Sequence, residues 1–98
     1  MEILKNQEGK TLTISLEGRL DTTTAPSLEA ELKSSLNDIE TLFFDFSKLE
    51  YVSSAGLRVL LATQKIMNTQ GKMKLINVNE EVKEVFDITG FTDILTIE

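Results

Sequence analysis

The residues of this chain that could do chemistry are chiefly its hydroxyls and carboxylates, since its 98 residues include neither histidine nor cysteine. Ser-His-Asp triads, Cys-His dyads and most zinc sites are excluded with them, as are disulfides and thiolate reactions. A serine nucleophile would need another base, and no Ser-x-x-Lys pair starts at Ser53 or Ser54. Gly9-Lys10-Thr11 has the ending of a phosphate-binding loop, but the glycine required five residues earlier is Leu4, so the segment reads as a turn. Glu80, Glu81 and Glu84 read as a solvated helix start, where negative charge complements the dipole. Asp45 interrupts an apolar run. A buried carboxylate is costly unless hydrogen-bonded, so Asp45 is expected at a sheet rim or bonded to backbone amides.

The segment that stands out is 45–61, DFSKLEYVSSAGLRVLL. It runs from the end of an apolar strand, through a short loop, into a helix, and ligand sites of open α/β sheets gather at such strand ends. Ser54 is expected as the N-cap, with Ala55, Gly56 and Leu57 as the first helical residues. A glycine in a first turn costs about 1 kcal/mol against alanine, which implies close approach by another backbone or a ligand. Serine is a good cap in its own right. It is also a phosphoacceptor: phosphate on Ser54 would meet the positive helix end and the amides of Ala55, Gly56 and Leu57. It would add about −1.5 to −2 charges without unfolding the domain.

The elements that must position this segment follow from periodicity. Ile3 and Leu4 open a short strand, and Leu12, Ile14 and Leu16 alternate with polar residues as a second strand with one wet face. Thr24 and Pro26 start a helix striped by Leu28, Leu32 and Leu36. Leu42, Phe43, Phe44 and Phe46 predict a strand apolar on both faces. The second helix spans about 54–70 and is capped by Gly71. On its wheel Leu57, Leu60 and Leu61 share one side. Val59, Ala62 and Ile66 form another, expected against a neighbouring helix or, failing that, kept as a surface for a partner, and Arg58 and Lys65 share the polar face. Leu75, Ile76 and Val78 predict a strand. Asn79 starts a helix with Val82, Val85 and Phe86 that ends at Gly90, and Ile94, Leu95 and Ile97 predict a last strand. The order β-β-α-β-α-β-α-β makes an α/β fold, a mixed sheet covered by helices.

Composition agrees with a single domain over residues 1–98. Hydrophobic residues make up 41% of the chain, sufficient for one core without staples. Sixteen acids against ten bases give a net charge of −6, which argues against binding nucleic acid or an anionic membrane. No signal peptide or bilayer-spanning run is evident, so a cytoplasmic protein is expected.

Asp45-x-Ser47 followed by Tyr51-Val52-Ser53-Ser54-Ala55-Gly56-Leu57 resembles the STAS family of bacterial anti-sigma factor antagonists. The resemblance extends to Gly18-Arg19-Leu20-Asp21 and to Val82-Lys83-Glu84-Val85-Phe86 with Thr89-Gly90-Phe91. It implies a binding module, not an enzyme, that needs no cofactor or metal and engages an anti-sigma factor that is also a serine kinase. Binding frees the sigma factor. The kinase phosphorylates a serine matching Ser54, with Ser53 a minor competing site, and a PP2C-type phosphatase reverses the change. The resemblance places Asp21 beside that serine. Asp21, Thr22, Ser53, Ala55, Gly56, Leu57, Arg58 and Leu61 are the expected partner surface, on a protein monomeric when free. Three positions depart from the family's usual pattern: Ser53 stands for an aspartate, Ala55 for a hydroxyl residue and Arg58 for a small residue. The alternative role is a docking subunit of a transporter or stress-signalling complex, held through the apolar front of the second helix and indifferent to phosphorylation.

Overall fold

The alternation of Leu12, Ile14 and Leu16 with polar neighbours seals one face of a strand, and that face organises the molecule. A computed structural model describes residues 1–98. Its elements are β1 (Glu2–Glu8), β2 (Thr11–Leu20), α1 (Ala25–Ser35), β3 (Thr41–Val52), α2 (Ser54–Gln70), β4 (Lys72–Ile76), α3 (Glu80–Thr89) and a 3₁₀ turn at Phe91–Asp93. The sheet order is β1-β2-β3-β4. β1 runs antiparallel to β2, while β2–β3 and β3–β4 are parallel. This is the mixed α/β sheet the sequence predicts. Gly9 and Lys10 are the two loop residues between the paired Glu8 and Thr11, so Gly-Lys-Thr is a hairpin turn.

Ile14, Phe44 and Leu75 lie side by side in register and are fully buried. Leu28 and Leu32 of α1, Leu57, Leu60 and Met67 of α2, and Val82 and Phe86 of α3 join them in one apolar cluster. Complete burial of each such side chain contributes about 1.5–3 kcal/mol. The strand expected to be apolar on both faces is covered on one only. Thr13, Phe43 and Lys74 share the next register, and all three are half-buried. The reason is that α1, α2 and α3 all pack into the single core on the opposite face.

β3 also continues past Phe46, where a loop is expected. Asp45 pairs with Ser15 but Lys48 with Glu17, and Leu49 pairs with Gly18 but Tyr51 with Arg19. Two bulges therefore break the alternation, and burial passes from Phe46 to Leu49 and Val52. Only Ser53 then separates β3 from α2. β4 stops at Ile76, because Asn77 adopts φ 57°, and this leaves Val78 outside the strand. The expected last strand is reduced to one bridge between Ile97 and Leu75. Gly90 ends α3 at φ 80°, the 3₁₀ turn follows, and Ile94 keeps helical angles, so extended backbone can begin only beyond it.

Both ends of α2 are pinned by backbone. Ser53 N–H donates to the Leu20 carbonyl at 2.8 Å, and Lys72 N–H donates to the Glu40 carbonyl at 2.9 Å. A Cβ on Gly71 would lie 1.8 Å from that Glu40 oxygen, so the C-cap must be glycine for room. α3 is fixed by Asn79, whose Oδ1 accepts from Val82 N–H at 2.8 Å while its Nδ2 donates to the Leu49 carbonyl at 2.8 Å.

Candidate functional site

The parallel pairing of β2 with β3 brings their carboxyl ends together at Leu20 and Val52, and α2 starts from this corner. Ser53, not Ser54, is the N-cap. It keeps the extended backbone of β3 (φ −90°, ψ 175°), and its Oγ accepts from Gly56 N–H at 3.3 Å. Ser54 is the first helical residue, and it is exposed. The difference has a physical cause: the strand reaches Val52, so the single residue that changes direction is the one before Ser54. It also alters the expected cradle of amides. Gly56 N–H is taken by the Ser53 hydroxyl, and Leu57 N–H by the Ser53 carbonyl at 2.9 Å.

Gly56 is explained by close approach, as its position in the first turn predicts. A Cβ there would meet Leu20 Cγ at 2.7 Å, Cδ2 at 3.0 Å and the Leu20 carbonyl oxygen at 3.1 Å. The neighbour is the end of β2, so this glycine makes room for packing. Gly56 and Leu57 are both buried and support the surface from beneath. Ala55 and Leu61 are half-buried, whereas Thr22, Ser54 and Arg58 are exposed. Ser54, Arg58, Leu61 and Lys65 follow one another along the outer face of α2 at spacings of three or four residues. No acidic residue occurs in the helix. The Val59–Ala62–Ile66 side meets α1 only in part. Val59 is buried, but Ala62 is exposed and Ile66 is 45% exposed, beside a groove of about 210 Å³ that Leu32 and Thr63 also line.

Asp21 lies in the loop following Leu20 but is committed to its own turn. Its Oδ1 accepts from the Thr23 hydroxyl at 2.7 Å, Thr23 N–H at 3.0 Å and Thr24 N–H at 3.2 Å. The Thr23 hydroxyl bond, with help from the two amides and the Thr24 hydroxyl, holds its carboxyl below the usual range despite some desolvation. Asp45 has an equivalent structural task. Partial burial alone would raise its pKa, but the Ser47 amide (3.0 Å), the Asn77 side-chain amide (3.1 Å), the Ser47 hydroxyl and the Lys48 charge outweigh that and lower it. Asp45 thereby ties β3 to the residue that follows β4. It lies within β3, paired on both sides and not at a rim, because the strand continues to Val52. It meets the other expectation, bonding to a backbone amide.

One pair near the corner is not evident from the sequence. The Arg19 guanidinium lies 4.3 Å from the centroid of the Tyr51 ring, and its Nε is 3.8 Å from Asp21 Oδ2. Tyr51 remains 39% exposed, so the pair forms an aromatic rim next to the start of α2. The signal was Tyr51 directly before the Val-Ser-Ser motif, but only the second bulge puts it opposite Arg19. No helix is long and apolar enough to cross a membrane.

Comparison with known proteins agrees with this geometry. A STAS domain family model matches residues 2–98. BtrV of Bordetella bronchiseptica, a candidate anti-sigma factor antagonist, is 38% identical over 88 residues, covering 88% of this chain and 76% of that protein. The anti-sigma-B factor antagonist of Bacillus subtilis is 32% identical over 92 residues, covering 93% and 84% respectively. Among solved structures, the Bacillus cell fate determinant SpoIIAA in its phosphorylated form superposes with a TM-score of 0.77 at 19% identity, covering 99% of this chain and 91% of that one. With nearly its whole length matched, its sheet order and its serine-bearing strand–helix corner, the chain belongs to the STAS domain family.

Proposed function

We propose that this chain is an anti-sigma factor antagonist, a non-enzymatic module of the cytoplasm that binds an anti-sigma factor and frees the sigma factor. Phosphorylation of Ser54 switches it off. Relatives above 30% identity named for that role support the binding function. The switch rests chiefly on one observation: the Ser54 hydroxyl is exposed on the first helical residue, while the capping hydrogen bond is made by Ser53. A group can be added at Ser54 without removing the bond that starts α2. The partner surface is the outer face of α2, with Ser54, Arg58 and Leu61, together with Thr22 and the loop held by Asp21.

In the modifying step the γ-phosphoryl group of ATP transfers to Ser54 Oγ, the hydroxyl proton goes to a base on the partner kinase, and ADP leaves. A PP2C-type phosphatase restores the hydroxyl by hydrolysis. The new charge of about −1.5 to −2 lies at the positive end of α2, where it is tolerated by the fold, and it repels a partner fitted to a neutral serine. The test is incubation of the purified protein with its cognate anti-sigma factor kinase and ATP, followed by mass mapping. One phosphoryl group on Ser54 is expected, absent from Ser54→Ala and retained in Ser53→Ala. Both serines left unmodified, or modification confined to Ser53, would overturn the proposal.

A further inference from the structure

The chain has two arginines, Arg19 and Arg58. Arg19 is occupied by the Tyr51 ring and by Asp21. Arg58 is exposed and takes part in none of the six ion pairs of the structure. It follows Ser54 by four residues in one continuous helix, a spacing that puts the two Cβ atoms roughly 5–6 Å apart on the same face. Negative charge at the first residue and positive charge one turn later is also the favourable order along a helix. The backbone offers the phosphate less than a bare helix end would, because Ser53 already engages the amides of Gly56 and Leu57.

We propose that Arg58 is a switch residue that answers phosphorylation within the chain. While Ser54 is unmodified, the guanidinium is free for the partner. Once Ser54 carries phosphate, the guanidinium turns back one helical turn and pairs with it through its two-pronged N–H fork. Modification then withdraws the only free arginine from the docking face in addition to adding negative charge. The other charges around this face leave the role to Arg58. Lys65 lies two turns beyond Arg58. Glu29 and Lys33 of the neighbouring α1 pair with each other at 3.5 Å, and the Asp21 carboxylate is held by Thr23 and Thr24.

The inference takes from the proposed function the identity of Ser54 as phosphoacceptor, and its test needs neither kinase nor partner. Phosphoserine is installed at position 54 during synthesis in the full chain and in Arg58→Gln and Arg58→Lys, and the phosphate is titrated by phosphorus NMR. Pairing favours the dianion, so the second phosphate pKa should lie about 0.3 unit lower in the parent than in Arg58→Gln. Arg58→Lys should fall between them, and the difference should fade in 1 M salt, where the Debye length is about 3 Å. Because Arg58 is exposed, these variants retain the fold, and their unfolding midpoints verify it. Equal titration midpoints in the three proteins, or a difference indifferent to salt, would overturn the role of Arg58. If instead no kinase modifies Ser54, the functional reading fails while the titration result stands.

Discussion

Replacing Gly56 by alanine tests whether the front of α2 is held in place by the end of β2. In an unobstructed helix the change would stabilise the protein by about 1 kcal/mol, the propensity difference between the two residues. Here the new Cβ would lie 2.7 Å from Leu20 Cγ and 3.1 Å from the Leu20 carbonyl oxygen. The first atom is the branch point of a fully buried side chain. The second is backbone and accepts the Ser53 N–H bond, so neither can withdraw freely. Overpacking of this kind costs about 1–3 kcal/mol. Set against the propensity gain, the net effect is a loss of up to about 2 kcal/mol. At about 4–8 °C per kcal/mol for a domain of this size, the thermal midpoint should fall by several degrees. Urea unfolding gives the free energy, and hydrogen exchange should show weaker protection of the Ser53 amide. A Gly56→Ala protein more stable than its parent would refute the packing argument.

Three further outcomes follow from the same geometry. Ser53→Ala should cost about 1 kcal/mol through loss of the cap, whereas Ser54→Ala should stay within about 0.5 kcal/mol; the reverse order in urea unfolding would return the cap to Ser54. Asn79→Ala should cost about 2 kcal/mol, roughly half from the cap and half from the bond to Leu49, while Asn79→Asp, which keeps only the capping oxygen, should lose about half as much. Asp45 has a folded pKa below its ordinary value of 3.8, so its ionised form stabilises the fold fully above that value and ceases to do so as pH falls through the lower folded value. The stability gap between the parent and Asp45→Asn should be constant near neutral pH and shrink below about pH 3.8; a gap that widens on acidification would contradict the hydrogen-bonded carboxylate.

Much of this architecture is legible in the residues. Leu12, Ile14 and Leu16 declare a one-sided strand, Gly71 and Gly90 mark helix ends, and Asn79 announces α3, because each signal is local. The errors arise where tertiary pairing decides. The bulges beside Ser47 and Glu50 are set by register with β2 and have no local mark, so β3 is longer than its apolar run and the cap moves from Ser54 to Ser53. Phe43 looks like a second buried face, yet which face the helices cover is fixed by the crossovers. Ile94 and Ile97 resemble a strand, but Gly90 and the 3₁₀ turn consume the residues it would need. At the site, Gly56 is legible as a point of close approach; that Leu20 is the neighbour is not.

Charge at Ser54 should alter docking while the fold stays as it is. The direct measurement is calorimetric titration of the cognate anti-sigma factor into the unmodified protein and into protein carrying phosphoserine at position 54, with thermal midpoints recorded for both. The complex should be at least tenfold weaker, about 1.4 kcal/mol, with the midpoint of the phosphorylated protein no lower than that of the unmodified one, since negative charge at a helix start is tolerated or favourable. Equal affinities, or a loss of binding that accompanies a collapse of the midpoint, would contradict the switch at Ser54.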